Sequence, residues 1–391
     1  MHTARLLIAM LGCLLPVLAQ AQLDAIAATD ADAVPASVRQ VISGHKLPAA
    51  SYSFMVQEVG AQSALLNINA EQSMNPASAM KVITTLAALE TLGPAYTWKT
   101  ELYATGQVVD GTLQGDLILK GKGDPFLVEE QLRSMLKELL RSGIAHISGD
   151  LILDGTYFDA AVSNTESIDN QGGRSYNTDP NAILANFQVV TFYFYPHTNG
   201  RDVVIRADPQ LPDMVIENRL RLRDAPCSGY QRGISFDVNK DKPNEIIFSG
   251  QFPARCQQYQ LAREVLDAPL YTFGLFKNLW QQLGGKLDGT LRTGTVPDGQ
   301  NPVLVWDSPP LSDVITSINK FSNNLMTRHL LLTLGAEQLG APATVEKGVA
   351  AVNAYLELKS LDSTLLHMEN GAGLSRSARV TAGLMNEVLQ S

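Results

Sequence analysis

A serine and a lysine three positions apart, Ser78 and Lys81, stand at the start of a stretch with helical character. Three residues span about one turn of an α-helix, so the two side chains would lie on the same face. A serine hydroxyl becomes a strong nucleophile only when a nearby base takes its proton, and a neutral, desolvated lysine can be that base. The pair therefore predicts nucleophilic catalysis, with Ser78 as the nucleophile and Lys81 as the base.

The same serine-lysine spacing occurs at three other places: Ser43/Lys46, Ser134/Lys137 and Ser317/Lys320. Pro48 closely follows the first pair and argues against a long helix there. The second pair falls on the polar side of an amphipathic segment, and the third lies next to another polar motif. Only the pair at Ser78 opens a segment, 82–89, that carries no charged residue and can keep a lysine away from water.

Residues at both ends of this segment suit the ends of a helix, and the chain before it has the pattern of a β-hairpin. Asn75 can cap a helix, Pro76 suits the first helical position and Gly93 suits the end. Upstream, residues 51–59 alternate between polar and apolar side chains, residues 60–62 suit a turn, and 64–69 would be the second strand, which predicts an antiparallel hairpin. We therefore expect Ser78 at the start of a buried helix that follows a hairpin.

A polar triplet, Ser322-Asn323-Asn324, interrupts a long amphipathic helical stretch from Leu311 to Gly335. A turn between two packed helices would present Ser322 and Asn324 to a common site. The structural alternative is a helix N-cap at Ser322 or Asn323, and a cap and a catalytic role can coexist. The triplet is therefore a second candidate for the site.

Between these motifs, short strands and glycine turns predict a β-rich region over residues 99–264. The runs 115–121 and 149–155 nearly repeat each other, and an amphipathic helix at 128–142 lies between them. This arrangement predicts a strand–helix–strand unit inside the region.

Composition and the N-terminal segment limit the partners and the compartment. The chain has 391 residues, 45% of them hydrophobic, and a net charge of -9 without a basic tract, so nucleic acid is not expected as a partner. Residues 1–21 have the basic start, apolar core and Ala19-Gln20-Ala21 end of a secretory signal peptide. Its apolar core is too short to span a bilayer and no second one follows, which predicts an exported, periplasmic or cell-envelope protein with at most peripheral membrane association.

After removal of the signal peptide, two cysteines remain, Cys227 and Cys256. Two cysteines in an exported chain favour a disulfide, which would contribute about 3–4 kcal/mol in the chain-entropy account. Two free buried thiols are the alternative. The histidines show no paired metal-ligand spacing, so we expect neither a metal nor another cofactor.

Ser78-x-x-Lys81 on a buried helix, with Ser322-x-Asn324 between helices of an exported chain, resembles the penicillin-binding protein and serine β-lactamase superfamily. The long β-rich insertion between the motifs is similar to that of the class C low-molecular-mass penicillin-binding proteins, the D-Ala-D-Ala carboxypeptidase/endopeptidases of the penicillin-binding protein 4 type. The other runs that carry the resemblance are 75–78, 121–125, 149–151, 318–324 and 370–376, the last with Asn370 and Ala372 as departures.

The resemblance implies an α+β fold. Residues 22–98 and 265–391 would form a serine β-lactamase/DD-peptidase-like domain, an antiparallel sheet with a helical cluster, and 99–264 the large β-rich insertion.

The resemblance also implies roles for the candidate residues. Ser78 would attack the penultimate D-Ala of a peptidoglycan stem peptide, and Lys81 would take its proton. Ser322 would relay a proton to the leaving D-Ala, and Asn324 would bind the substrate backbone and contact Lys81. β-Lactam antibiotics would act as covalent inhibitors at Ser78.

One departure from this family leaves alternatives open. Its members carry Lys-Thr-Gly on a strand after the run 370–376, whereas this sequence ends at Ser391 before such a motif. The nearest run, Arg292-Thr293-Gly294, precedes the Ser-x-Asn motif and is predicted to be a turn. We expect a fragment of a full-length enzyme; the alternative is an inactive product. Two other functions remain open: a serine β-lactamase of the same fold, and a non-catalytic cell-wall binding protein.

Overall fold

A computed structural model describes residues 34–163, 173–229, 233–239 and 241–391. The predicted signal peptide at 1–21 lies outside these ranges. Within them, the helices are α1 (Ala36–Gly44), α2 (Met80–Leu92), α3 (Glu129–Arg141), α4 (Ala268–Gln282), α5 (Leu311–Phe321), α6 (Asn324–Leu339), α7 (Val345–Leu358) and α8 (Ala382–Gln390).

The strands of the described residues fall into two groups along the chain. The first group is β1 (Phe54–Val56), β2 (Leu66–Ile68), β3 (Lys99–Ala104), β4 (Val108–Val109), β5 (Thr112–Leu113), β6 (Leu117–Gly121), β7 (His146–Ile147) and β8 (Leu151–Asp154). The second is β9 (Val189–Pro196), β10 (Val203–Asp208), β11 (Val215–Arg223), β12 (Ile234–Val238), β13 (Glu245–Pro253), β14 (Tyr259–Glu264), β15 (Lys286–Leu287), β16 (Leu291–Thr293) and β17 (Leu304–Asp307).

The described residues divide into two compact units, of which the first comprises 34–76, Leu356–Met368 and Ser377–Ser391. In this unit β1 and β2 form the predicted antiparallel hairpin, with Phe54 opposite Ile68. Helix α8 contacts β1, and Asn386 Nδ2 donates to Gln57 Oε1 at 2.7 Å. The alternation in 51–59 and the turn that follows it therefore identified the hairpin, although each strand is only three residues long.

The second unit comprises Ala77–Tyr355 and Glu369–Arg376 and contains the other sheets. Its five-stranded sheet has the order β16-β8-β6-β3-β17, and β6 pairs in parallel with β8. Helix α3 connects these two strands and buries its apolar face, so the predicted strand–helix–strand unit is present. Three smaller sheets have the orders β15-β7-β5-β4, β10-β9-β14 and β11-β13-β12.

The prediction of a turn at Arg292-Thr293-Gly294 is wrong for its first two residues. Leu291–Thr293 form strand β16, which pairs in parallel with β8. The cause is tertiary, because the Asp150 carboxylate accepts the Thr290 N–H at 2.8 Å and the Thr290 carbonyl accepts the Leu151 N–H. These bonds dock a segment with little strand character of its own onto an existing sheet edge.

Cys227 and Cys256 lie just beyond the ends of neighbouring strands. Strands β11 and β13 run in parallel with a nine-residue register, and Cys227 and Cys256 follow their C-terminal ends. A disulfide bond joins the two cysteines, with Cα atoms 4.8 Å apart. The bond therefore ties together the same end of both strands.

The predicted division into 22–98 with 265–391 and an insertion at 99–264 stays a prediction. The five-stranded sheet takes β3, β6 and β8 from within 99–264 and β16 and β17 from beyond it. Strand pairing therefore continues past residue 264.

Helix α2 positions the first motif. A turn of 3₁₀ helix at Ala77–Ala79 precedes it, so helical structure begins one residue later than the predicted Pro76. Ala77 has a φ of 45°, a left-handed conformation that an alanine rarely adopts. The helix ends at Gly93, as predicted, with a φ of 84°.

The stretch that contains the triplet forms two helices, α5 and α6, which meet at Ser322 and Asn323. Ser322 ends α5 in the left-handed conformation, with φ 53° and ψ 41°, and its N–H donates to the Ile318 carbonyl. Asn323 caps α6, because its side chain accepts the Met326 N–H at 3.0 Å. The predicted turn and the alternative prediction of an N-cap at Asn323 are therefore both confirmed.

Helix α6 is buried along most of its length and fixed by polar contacts at successive turns. Arg328 donates to the Thr178 carbonyl and pairs with Asp179, both at 2.9 Å. His329 Nδ1 lies 3.1 Å from the Gly123 carbonyl oxygen, and Trp98 Nε1 donates to Thr333 Oγ1 at 2.8 Å. These contacts fix the position of the N-terminal end of α6, where Asn324 lies.

Asp124, next to Gly123, is a buried carboxyl group with one unsatisfied oxygen. Its Oδ1 accepts the Phe126 N–H at 2.8 Å, and its Oδ2 has no partner among the described residues. Burial raises the pKa of Asp124 from 3.8 to about 7, although the bond from Phe126 opposes this. Because the folded pKa is above the unfolded value, this carboxyl favours the fold most at low pH, and that contribution is lost as the pH rises to about 7.

We predict that Asp124→Asn raises the free energy of unfolding, relative to the parent protein, by more at pH 8 than at pH 4. Asparagine keeps the acceptor for Phe126 but cannot ionise, and each unit of pKa shift corresponds to about 1.4 kcal/mol. Denaturant unfolding at both pH values measures the difference. The exposed Asp298→Asn is the matched control and should change stability equally at both. A pH-independent effect of Asp124→Asn would contradict the prediction.

Candidate active site

The two residues of the first motif differ in their access to solvent. Ser78 is exposed in the turn that precedes α2, whereas Lys81 is only 2% exposed in the first turn of that helix. Lys81 Nζ lies 3.2 Å from Ser78 Oγ. A substrate can therefore approach the hydroxyl, while the neighbouring amine is shielded from water.

In the part of the chain that the structure describes, the amine of Lys81 has three neutral hydrogen-bond partners. They are Ser78 Oγ, Asn324 Oδ1 at 2.7 Å and the Ala372 carbonyl oxygen at 2.7 Å. An amide or carbonyl oxygen can only accept hydrogen bonds, and a neutral amine has two N–H groups and one lone pair. If those N–H groups donate to Asn324 and Ala372, the lone pair is left for the Ser78 hydroxyl proton.

Burial also changes the proton affinity of this amine. Desolvation lowers the pKa of Lys81 from 10.5 to about 8, because the ammonium form loses its hydration. No carboxylate among the described residues bonds to the amine and restores the charged form. A useful fraction of Lys81 is therefore neutral near neutral pH, as a general base requires.

The two candidate residues of the second motif, Asn324 and Ser322, have different surroundings. The Asn324 side chain connects α6 to α2 through Lys81, and its Nδ2 donates to the Tyr176 carbonyl at 3.2 Å. Ser322 is exposed at the junction of α5 and α6, two residues before Asn324. Within the described ranges, its hydroxyl makes no hydrogen bond to Ser78 or Lys81. The geometry thus places Ser78 and Asn324 each within hydrogen-bond distance of Lys81 and leaves Ser322 exposed, two residues before Asn324.

A glycine-rich turn at 370–374 forms the third side of the site. Asn370 closes the turn, because its Nδ2 donates to the Leu374 carbonyl at 2.7 Å and its Oδ1 accepts the Ala372 N–H at 3.0 Å. Gly373 has a φ of 74°, and a Cβ at this position would overlap the Ala77 carbonyl oxygen. The turn therefore packs against the backbone just before Ser78 and places the Ala372 carbonyl on Lys81.

The sequence did not identify this third partner of the amine. A main-chain carbonyl has no residue type that could reveal it, and only the glycines at 371 and 373 indicate a turn that approaches other backbone closely. The competing serine-lysine pairs differ in environment, as expected. Ser134 and Lys137 are both exposed on α3, and Ser134 Oγ donates to the Glu130 carbonyl.

Two kinds of feature are absent from the described ranges. No group of three or more His, Cys, Asp or Glu side chains there is arranged to hold a metal ion. No helix there combines the length and the apolar character needed to cross a bilayer.

Comparison with known proteins shows which family the chain matches. The sequence profile of the D-Ala-D-Ala carboxypeptidase 3 (S13) family matches residues 34–391. The D-alanyl-D-alanine carboxypeptidase DacB of Haemophilus influenzae is 27% identical over 349 residues, which cover 88% of this chain and 72% of the relative. The D-alanyl-D-alanine carboxypeptidase of Actinomadura sp. strain R39 is 29% identical over 331 residues, which cover 81% of this chain and 60% of the relative.

A solved structure supports the same assignment. The crystal structure of penicillin-binding protein 4 (DacB) from Haemophilus influenzae superposes with a TM-score of 0.75 at 25% identity, over 88% of this chain and 76% of that one. A second structure of that protein, complexed with a β-lactam, has a TM-score of 0.71 at 24% identity. The predicted α+β fold and the family resemblance are confirmed, whereas the expected Lys-Thr-Gly segment beyond Ser391 stays a prediction.

We predict that Gly373→Ala disrupts the site. The added Cβ would meet the Ala77 carbonyl oxygen, in addition to the left-handed penalty of about 1–2 kcal/mol for a non-glycine residue. Gly284→Ala is the matched control, because Gly284 also has a positive φ, 86°, with no atom within 4 Å of the added carbon. Thermal unfolding and labelling by a fluorescent penicillin measure the two effects. Equal losses in both variants would show that the contact with Ala77 is unimportant.

Proposed function

Because the chain belongs to the D-Ala-D-Ala carboxypeptidase 3 (S13) family, we propose that Ser78 is its catalytic nucleophile and Lys81 its general base. The family consists of serine-type D-Ala-D-Ala carboxypeptidases that act on peptidoglycan. The observation that carries the proposal is the contact of a buried lysine amine with an exposed serine hydroxyl at 3.2 Å.

In the proposed reaction, Ser78 Oγ attacks the carbonyl carbon of the penultimate D-Ala of a stem peptide, and Lys81 Nζ accepts the hydroxyl proton. The bond between that carbon and the nitrogen of the terminal D-Ala then breaks, and a proton is delivered to the leaving amine. An ester on Ser78 remains, and water hydrolyses it to release the shortened peptide and regenerate the hydroxyl.

We assign the two remaining candidate residues to the leaving group and the substrate backbone. Ser322 relays the proton from Lys81 to the leaving nitrogen, which its exposed position beside Asn324 supports. Asn324 holds Lys81 through its Oδ1 and binds the peptide backbone of the substrate. Its amide nitrogen already donates to the Tyr176 carbonyl, which fixes the orientation of the side chain.

The partners and compartment follow from the same chemistry. Peptidoglycan stem peptides are the proposed substrates, and β-lactams are proposed to acylate Ser78 because they present a reactive amide to the same nucleophile. A peptidoglycan substrate and the signal-peptide pattern of residues 1–21 both favour an exported protein in the periplasm or cell envelope.

We predict that Ser78→Ala abolishes covalent labelling by a fluorescent penicillin, because the variant lacks the attacking oxygen. Ser134→Ala is the matched control, since Ser134 is also exposed and precedes a lysine by three residues, but its lysine, Lys137, is exposed whereas Lys81 is buried. Gel fluorescence and intact-mass measurement detect the adduct. Labelling that survives in Ser78→Ala would exclude Ser78 as the nucleophile. A lasting adduct on the parent protein supports the peptidase, and rapid release as hydrolysed β-lactam would indicate a β-lactamase.

We predict that the rate constant of acylation rises with pH up to about 8 and then levels off. Only the neutral form of Lys81 can accept the proton of Ser78, and the pKa of Lys81 is lowered to about 8. Below that pH the rate constant should fall about tenfold per unit, as expected for a single base. Stopped-flow labelling between about pH 6 and 9.5 measures the profile. Far-ultraviolet circular dichroism at each pH controls for unfolding, and a flat profile would argue against Lys81 as the base.

A further inference from the structure

We propose that Thr84 is a positioning residue for the acylation step, which it serves by holding the glycine-rich turn against the amine of Lys81. This inference rests on the proposed function. Within the described ranges Thr84 makes no hydrogen bond to Ser78, and it is fully buried whereas Ser78 is exposed. It acts through the carbonyl of Ala372.

The contact that carries the inference is a buried hydrogen bond. Thr84 is fully buried on α2, and its Oγ1 donates to the Gly371 carbonyl oxygen at 2.8 Å. Lys81, one helical turn earlier on the same face, donates to the carbonyl of the next residue, Ala372, at 2.7 Å. Two consecutive carbonyls of the turn are therefore held by two side chains three residues apart on one helix.

The position of the Ala372 carbonyl helps to determine where the lone pair of Lys81 points. A neutral amine directs its lone pair away from its two N–H groups, so both acceptors must be in place for the lone pair to face Ser78 Oγ. Asn324 is fixed by the cap and the burial of α6. The Ala372 carbonyl belongs to a turn, and the bond from Thr84 ties the adjoining peptide to α2.

The same turn keeps water away from the amine. Ala372 is 1% exposed, and Gly371 is also buried. If the bond from Thr84 were lost, the turn could move from α2 and water could reach Lys81 Nζ. The ammonium form would then regain hydration, and the pKa of Lys81 would rise from about 8 towards its ordinary 10.5.

Charged side chains on the neighbouring elements offer no competing explanation for such a shift. On α6, Arg328 pairs with Asp179 of the facing segment at 2.9 Å. Lys320 on α5 and Glu369 before the turn are exposed. The low pKa of Lys81 has burial as its cause, so removal of the cover should raise it.

The test compares variants that differ at the hydroxyl of Thr84. Thr84→Val keeps the shape and removes the donor, and Thr84→Ser keeps the donor. Thr272→Val is the matched control, because Thr272 is also fully buried on a helix and donates to a loop carbonyl, that of Ile183 at 2.9 Å. Each variant is labelled with a fluorescent penicillin as a function of pH, and its thermal unfolding is recorded.

We expect Thr84→Val to lower the rate constant of acylation by about 10–100-fold, by analogy with the loss found when a residue that orients a metal ligand through a hydrogen bond is removed. The midpoint of its pH profile should move upward, and Thr84→Ser should restore both properties. Thr272→Val should lose comparable stability and keep the parent rate and midpoint. A parent-like rate and midpoint in Thr84→Val would overturn the inference, as would equal kinetic losses in Thr272→Val.

Two further comparisons keep the result decisive. If Thr84→Val does not fold, Thr84→Ser and Thr84→Ala replace it, because both lack the methyl group and only the first retains the hydroxyl. Ser78→Ala distinguishes the inference from the function on which it rests. If Ser78→Ala is still labelled, the proposed function fails; if it is not, and the hydroxyl at residue 84 has no kinetic effect, only the positioning role fails.

Discussion

Burying a lysine as an ammonium ion is costly, because the charge loses its hydration and must find compensation inside the protein. At Lys81 the hydrogen-bond partners found among the described residues are neutral oxygens, and the pKa falls to about 8. The cost of that burial is what makes the amine a base near neutral pH. The other elements of the site keep the Lys81 amine in this state, because each of them either excludes water from the amine or fixes the direction of its N–H groups.

Three separate parts of the second unit meet at this amine. Helix α2 supplies Lys81 and Thr84, helix α6 supplies Asn324, and the turn at 370–374 supplies the Ala372 carbonyl. Buried helices and a turn closed by Asn370 hold these groups, so little reorganisation is needed before proton transfer. The exposed position of Ser78 leaves one side of this enclosed site open to a substrate.

The local elements were largely predictable, because each has a strong local signal. The apolar segment 82–89 identified α2, period-two alternation identified the hairpin, and the triplet marked the junction of α5 and α6. The exceptions arise where tertiary contacts override local preference. Strand β16 forms only because a neighbouring strand offers an edge, and the helical turn at Ser78 begins with Ala77 at a positive φ, beside the packed glycine turn.

The sequence alone determined which side chains can do chemistry here, because a hydroxyl and an amine one helical turn apart are a local property. It also determined the polar triplet that supplies Asn324. Only the tertiary structure decided that the Ala372 carbonyl and the Thr84 hydroxyl belong to the site. A main-chain oxygen has no residue identity, and a contact between residues 84 and 371 depends on how distant segments pack, which no local pattern encodes.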